Sequence, residues 1–327
     1  MYKSKLSIIE TEKAIKLVKD TFERELAKKL NLVRISSPLF VRSETGLNDD
    51  LNGTERAVEF DMKYMDKSVQ IIHSLAKWKR YTLQRYGFNE GNGIYTDMNA
   101  IRRDEDPDEL HSIYVDQWDW EKIIAPAQRN MDFLYNTVQL IVDALLVTQE
   151  VLHKEFPILN CDLRRKVFFI TSQELEYLYP NDPPKERENK IAQKHGIVFV
   201  SQIGGLLESG KPHDGRAPDY DDWNLNGDIL VWYPVLNKAV EISSMGIRVD
   251  AKTLDEQLEC SGCNERRELE FHKMLLESRL PLTIGGGIGQ SRICMILLDK
   301  VHIGEVQASV WPSEMVRKCE ESNIYLL

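Results

Sequence analysis

Cysteine is scarce in this chain of 327 residues: Cys161, Cys260, Cys263, Cys294 and Cys319 are all there are. An odd and sparse set excludes a fold built on disulfides and suits a reducing compartment. Cys260 and Cys263 make one CxxC, but no second CxxC and no HxxxH completes four zinc ligands, so two free thiols are expected. No run approaches eighteen consecutive apolar residues, and the opening MYKSKLSIIETEK holds no apolar core. The expectation is therefore a cytoplasmic chain with no membrane-spanning helix, no signal peptide and no membrane partner. Excess positive charge is missing too. Acidic residues outnumber basic ones by 52 to 42, for a net charge of −10. Binding to polyanions runs on cationic surface that releases counterions, so no nucleic-acid partner is expected. Internal repeats and low-complexity linkers are absent, which favours one large domain over residues 1–327.

Hydrophobic periodicity predicts the elements. Ile15, Val18, Phe22 and Leu26 recur at helical spacing within an amphipathic helix over Ile8–Leu30, with Asn31 as its stop. An alternating strand follows over Leu32–Leu39, closed by Pro38. Further strands are predicted at Ala57–Asp61, Val69–His73, Ile113–Trp120, Val167–Thr171, Val198–Gln202, Ile229–Tyr233 and Val240–Ser244. Helices are predicted at Leu75–Tyr86, from near Pro126 to Phe156, and at Leu269–Leu276 and Ile293–Leu298. Strands and helices do not alternate regularly, which argues against a doubly wound parallel sheet. The expected class is α+β, a mainly antiparallel sheet flanked by helices. Residues 181–222, rich in Pro, Lys, Gly and Asp, suggest a long mobile loop carrying one helix.

Five constellations can carry chemistry. Arg102-Arg103-Asp104-Glu105 leads through His111 to the acid-studded strand Tyr114–Glu121, a hairpin able to hold a phosphate by arginine and an amine by carboxylate. A charged surface hairpin is the alternative. Thr283-Ile284-Gly285-Gly286-Gly287-Ile288-Gly289 runs into a helix bearing Arg292, where bare backbone and helix N–H groups can approach an anion; a tight packing turn would look the same. It is neither a P-loop nor a GxGxxG opening. Glu241 and Ser244 offer hard oxygens suited to Mg²⁺, with Arg248 following. Lys77, Lys79 and Arg80 crowd one helix opening, costly unless they are exposed or face an anion; a solvated helix face is the plain reading. Last, Asp214–Trp223 and Asp228 concentrate acids in a Gly/Pro-rich loop, solvated or else available to an ammonium group or Mg²⁺.

In this order these segments resemble the class II aminoacyl-tRNA synthetase catalytic domain. The strand ending at Pro38 resembles its motif 1, Arg102–Glu105 with the returning strand its motif 2, and Gly285–Arg292 its motif 3. The closer likeness is to ammonia-dependent asparagine synthetases (aspartate–ammonia ligases). It is carried by HSLAKWKR, HSIYVDQWDWE, RAPDYDDW, LNGDILVW, SSMGIRVD and TIGGGIGQSR, and runs from Lys13 to Trp311.

That resemblance implies the chemistry. L-aspartate, ATP and ammonia would be the substrates, Mg²⁺ the cofactor, and a homodimer the assembly. The side-chain carboxylate of aspartate would attack the α-phosphorus of ATP, and ammonia would then displace AMP from β-aspartyl-AMP. The motif 2 position implies that Arg102 bridges α-phosphate and carboxylate. Arg103 stands where the family usually carries proline, and the spacing from Ala100 selects Arg102. Arg292 would hold the terminal phosphates. Asp104, His111, Gly287 and Gly289 complete the ATP set, and Glu241, Ser244 and Asp228 the Mg²⁺ set. Ser74 and Lys79 match aspartate-binding positions. With the substrate reversed relative to a tRNA synthetase, Lys79 or Arg248 would take its α-carboxylate, and Asp119 and Asp219 its ammonium. Asp49, in the Gly46–Gly53 loop, and Gln117 are the candidates for the ammonia step, since ammonium must be bound and deprotonated; Asp119 is an alternative base. Nothing resembling the β-barrel of tRNA-charging enzymes precedes Lys13, and no cysteine precedes Cys161 to act as a glutaminase nucleophile.

Overall fold

The first helix forms where its periodicity predicts. Ser7 accepts a hydrogen bond from the Glu10 amide, and the Glu10 carboxylate accepts one from the Ser7 amide. This reciprocal cap satisfies two donors that a helix start leaves free. Asn31 ends the helix in the left-handed region, at φ 59°. The computed structural model describes residues 2–49, 55–163 and 165–327. Residues 50–53 of the Gly46–Gly53 loop lie outside them.

In chain order the elements are α1 (Ile8–Leu30), β1 (Leu32–Arg34), β2 (Phe40–Arg42), β3 (Glu59–Met62), β4 (Met65–Ile71), α2 (Ala76–Arg85), β5 (Gly93–Ile101), β6 (Tyr114–Ile123) and α3 (Met131–Glu155). Then follow β7 (Phe168–Thr171), α4 (Ser172–Leu178), α5 (Pro184–His195), β8 (Ile197–Ser201), β9 (Asp221–Tyr233) and β10 (Lys238–Arg248). The chain closes with α6 (Ala251–Cys260), α7 (Glu270–Leu276), β11 (Thr283–Gly289), α8 (Gln290–Leu297) and α9 (Ser313–Glu321).

Eight strands make one sheet in the order β1-β5-β6-β11-β10-β9-β8-β7. Only its outermost pairs, β1–β5 and β7–β8, are parallel. Every junction between them is antiparallel, as the α+β reading requires. A small sheet β2-β4-β3 stands apart.

Period-two alternation gives the large sheet two different faces. On β6, Trp118 and Trp120 are fully buried and enter the main core with Phe22 and Leu26 of α1, Val138 and Ile141 of α3, and Ile293 of α8. Phe22 lies 4.6 Å from the Trp118 ring. Each such aliphatic or aromatic side chain contributes about 1.5–3 kcal/mol on burial. The alternate residues Gln117, Asp119 and Glu121 point to the opposite face, which holds the site.

Three expectations change. Residues 181–222 carry the expected helix as α5 and the expected strand as β8, but β8 is paired on both edges, so the segment is part of the sheet and not one long loop. Pro126 opens a short 3-10 turn rather than a helix, and α3 starts at Met131 with Asn130 as its cap. The strand after Asn31 stops at Arg34. By length and hydropathy α3 is able to cross a membrane. Here Leu134, Val138, Ile141, Val142 and Leu145 spend its apolar stripe on the protein core.

Candidate active site

A cavity of about 450 Å³ opens on the polar face of the sheet. It collects residues from far apart in the chain: Asp49, Ser74, Arg102, Asp104, His111, Gln117, Asp119, Glu241, Ser244, Arg248, Gly287, Gly289 and Arg292 all line it. Lys79, Asp219 and Asp228 do not. Arg102 lies at the cavity wall while Arg103 is exposed, so the sheet turns the first of the two arginines inward.

The glycine run explains how the cavity can exist. It is not a turn but strand β11, hydrogen-bonded between β6 and β10. A Cβ at Gly285 would fall on the Glu121 carboxylate, and one at Gly287 on the Gln117 amide oxygen. Bare backbone here leaves room for polar side chains of the neighbouring strand to lie across β11.

One end of the cavity is a buried network of charge. Arg248 grips Glu121 with two nitrogens, Nε to Oε1 at 3.0 Å and Nη2 to Oε2 at 2.8 Å, and pairs through Nη1 with Asp221. Lys79 pairs with Asp119 and donates to the carbonyls of Trp120 at 3.0 Å and Gly286 at 3.2 Å. All five side chains are almost wholly buried. Burial opposes ionisation of Glu121, yet the Arg248 guanidinium and the Lys79 ammonium hold its carboxyl below the usual range. For Lys79 burial wins over Asp119 and Glu121 and lowers its pKa. Burial also raises that of Asp221, against Arg248. Arg80, buried beneath the same cluster, also couples to Glu121, so three cations meet three carboxylates. The Asp119 Oδ2 atom is buried with no hydrogen-bond partner among the described residues. A buried carboxylate oxygen without a donor at the cavity wall suits a substrate ammonium group. Lys79 has all three donors engaged, so it shapes Asp119 from beneath and does not reach the cavity.

The other end collects cations. Burial would raise the Glu241 pKa, but Arg292, Arg216, Lys185 and Arg102 surround it and bring it below the ordinary value. Arg292 Nη1 donates to the Glu241 carbonyl at 2.8 Å. Arg216 also pairs with Asp228 and Asp214, Lys185 with Glu188 and Arg102 with Glu105, so this end gathers cationic donors that a polyphosphate can recruit among their acidic partners. Arg216 and Lys185 are absent from the sequence-derived set. The only signal for Arg216 was its place at the head of RAPDYDDW.

Asp228 lies behind this wall, ion-paired to Arg216. Burial pushes its carboxyl up to about 6; Arg216 opposes that and Glu241 adds to it. Its Oδ1 is buried with no hydrogen-bond partner among the described residues, and it stands opposite Ser244 in the β9–β10 register. No group of three or more His, Cys, Asp and Glu placed to hold a metal occurs among the described residues. Glu241, Ser244 and Asp228 are hard oxygen donors, too few for six coordination alone. They fit an ion such as Mg²⁺ that draws the rest of its shell from phosphate and water.

The basic helix opening is the largest departure from the plain reading. Lys77, Lys79 and Arg80 are not solvated; all three are buried. Arg80 donates to the carbonyls of Val249 at 2.7 Å and Pro281 at 2.8 Å. Lys77 meets Asp219 at 3.1 Å, where His272 and Arg266 also converge at 3.0 Å. Burial alone would raise the Asp219 pKa, but Lys77, His272 and Arg266 hold it far below the carboxylate range. Asp219 therefore anchors the segment bearing Arg216, Tyr220 and Asp221 to α2 and α7, outside the cavity. Ser74 accepts from the Ala76 amide at 3.1 Å, at the start of α2. Buried Asp49 has its carbonyl 3.0 Å from His73 Nδ1.

A family model described as aspartate-ammonia ligase matches residues 9–323. Curated relatives under that name include proteins of Clostridium tetani and Bacillus cereus. The first is 59% identical over all of this chain and 96% of its own length. The second is 56% identical, with both chains covered in full. Among solved structures, the asparaginyl-tRNA synthetase of Pyrococcus horikoshii complexed with asparaginyl-adenylate superposes with a TM-score of 0.64 at 16% identity. The match covers 93% of this chain and 70% of that one. The asparaginyl-tRNA synthetase of Entamoeba histolytica gives 0.62 at 13%, over 92% and 67%. These likenesses establish the class II synthetase catalytic fold.

Proposed function

The chain belongs to the aspartate–ammonia ligase family, enzymes that join a carbon and a nitrogen to make asparagine, and from that premise we propose that it works through β-aspartyl-AMP. The observation that carries this reading is the layout of the cavity: the unpartnered Asp119 Oδ2, able to accept an amine, at one end and the gathered Arg292, Arg216, Lys185 and Arg102, able to take phosphates, at the other, on one sheet face.

Aspartate lies with its ammonium group at Asp119 and its α-carboxylate toward Arg248, which leaves the side-chain carboxylate directed at the cationic end. There ATP is held by Arg102, Arg216, Arg292 and Lys185. An oxygen of that carboxylate attacks the α-phosphorus, the bond from it to the β-phosphate bridging oxygen breaks, and pyrophosphate leaves. Guanidinium groups fixed in place before reaction stabilise the charge that builds on phosphorus. Glu241 and Ser244, with Asp228 beside them, would hold Mg²⁺, which would supply neutralisation of phosphate charge. In the second step Asp49 and Gln117 bind ammonium and Asp49 takes its proton. The nitrogen attacks the acyl carbon, AMP departs with the carboxylate oxygen, and the second proton of the nitrogen passes to the departing phosphate or to water. Both steps run in the cytoplasm without nucleic acid.

We further propose a homodimer built on α1, β1 and the small sheet. Val33, Leu39, Phe40 and Phe60 are exposed there, with the last two rings 5.3 Å apart. Apolar surface of this kind marks an interface; sedimentation velocity of the wild type and Phe40→Glu tests it.

The test of the reaction is product analysis with aspartate, MgATP and ammonium chloride and no tRNA. Asparagine, AMP and pyrophosphate in equal amounts are expected. ADP and phosphate would overturn the adenylate route.

A further inference from the structure

A carboxylate stands where the core-facing row of β6 calls for an apolar side chain. That row reads Asp116, Trp118, Trp120, and Asp116 is only 6% exposed. A buried carboxylate persists only when its oxygens are satisfied, and those of Asp116 are. Oδ2 meets Lys19 Nζ of α1 at 3.0 Å. Oδ1 accepts from the Ser291 amide at 3.1 Å, the Ser291 hydroxyl at 2.6 Å and Gln307 Nε2 at 3.2 Å. Gln307 Nε2 also donates to Ser291 Oγ at 3.0 Å. One strand away, Asp97 takes Gln290 Nε2 at 3.1 Å and Arg34 Nη2 of β1 at 2.6 Å. The first two residues of α8 are thus each tied to a sheet carboxylate, and each carboxylate is tied to a cation from α1 or β1. The third residue of α8 is Arg292.

We infer that Asp116 is a positioning residue for Arg292: by holding the amide and hydroxyl of Ser291 it fixes the first turn of α8, and so the direction in which the Arg292 guanidinium enters the cavity. Asp116, Ser291 and Gln307 also line the cavity, but both oxygens of Asp116 are occupied by protein donors, so it acts through the helix and not on substrate. The neutral variant Asp116→Asn turns an amide N–H₂ toward either Lys19 or Ser291, and one of the two contacts is lost. The inference rests on the reading of Arg292 as a ligand of the terminal phosphates, so its signature is selective. ATP, which carries those phosphates, is affected; AMP, which lacks them, is not.

The test is isothermal titration of the intact enzyme with MgATP and with AMP, for the wild type, Arg292→Ala, Asp116→Asn, Ser291→Ala and Ser291→Thr. Arg292→Ala should weaken ATP by about 30-fold or more and AMP by less than about twofold. Asp116→Asn should weaken ATP by about tenfold, again sparing AMP, and should add less than about twofold when combined with Arg292→Ala. Ser291→Ala should follow Asp116→Asn, with Ser291→Thr restoring ATP affinity. If Asp116→Asn does not fold, the Ser291 pair decides on the same readout. Equal losses for ATP and AMP, or an additive double variant, would overturn the positioning role while leaving Arg292 in place. An Arg292→Ala enzyme that loses ATP and AMP alike would remove the premise, and the inference with it.

Discussion

The same substitution at three consecutive glycines of β11 should give three different phenotypes. At Gly286 a new Cβ would meet Met245 Cβ at 2.5 Å and the Ser244 carbonyl at 2.7 Å, on the core face. Neither is a flexible end, so the strands must part. Overpacking of this kind costs about 1–3 kcal/mol, and at about 2–4 °C per kcal/mol for a large domain Gly286→Ala should lower Tm by roughly 2–12 °C. At Gly287 the obstacle is the amide oxygen of Gln117, the far end of a rotatable side chain. Tm should then move by about 2 °C or less, while kcat/KM for ammonium falls about 10–100-fold, equal to about 1.4–2.7 kcal/mol of transition-state stabilisation. At Gly285 the obstacle is Glu121 Oε2, with Arg248 Nη2 at 2.7 Å, so a buried ion pair is forced apart. Breaking such a pair costs about 3–5 kcal/mol, and both Tm and aspartate binding should fail together. Differential scanning fluorimetry beside steady-state kinetics reads all three. If Gly287→Ala lowered Tm as much as Gly286→Ala, or left the ammonium kinetics intact, the division of the sheet into a core face and a chemical face would be refuted.

Three further outcomes follow from the charge networks. Asp219→Asn should cost about 3–5 kcal/mol at pH 7, because it leaves buried Lys77 and His272 and half-buried Arg266 around a neutral group. The folded-state pKa of Asp219 is depressed, so its stabilisation is present above the unfolded carboxyl value, near pH 4, and is lost as pH falls below it. The Tm gap between variant and wild type should therefore narrow below about pH 4; a gap that widened there would contradict the assignment. Arg216→Ala should lower kcat/KM for ATP about 100-fold or more, with aspartate KM changed less than about threefold, in initial-rate assays. Arg248→Lys cannot reproduce the two-nitrogen grip on Glu121 and the third contact on Asp221, so aspartate KM should rise about tenfold or more despite the kept charge.

Local order was legible from local pattern. The 3.6-residue stripe of Ile15, Val18, Phe22 and Leu26, with asparagine after it, placed α1 at its observed ends. The antiparallel sheet followed from strands that do not alternate with helices. What failed depends on partners distant in sequence. Glycine-rich β11 reads as a turn because its reason for lacking side chains lies on β6, more than 150 residues earlier. Lys77, Lys79 and Arg80 read as a wet helix face because their anions and carbonyls come from β6, β11 and the loops near residues 219, 249 and 281. For the same reason Asp219 looked like a ligand and lies outside the cavity as an anchor, while Arg216 and Lys185 went unassigned until the fold brought them beside Glu241. The motif strings located the cavity; the division of labour within it required three dimensions.

The central claim is that the side-chain carboxylate of aspartate attacks the α-phosphorus of ATP. It is tested most directly with aspartate carrying ¹⁸O only in that carboxylate, followed by mass spectrometry of the AMP released. The adenylate route predicts one ¹⁸O in each AMP and none in pyrophosphate, with no transfer when only the α-carboxylate is labelled. Unlabelled AMP, or label arriving from the α-carboxylate, would contradict the account.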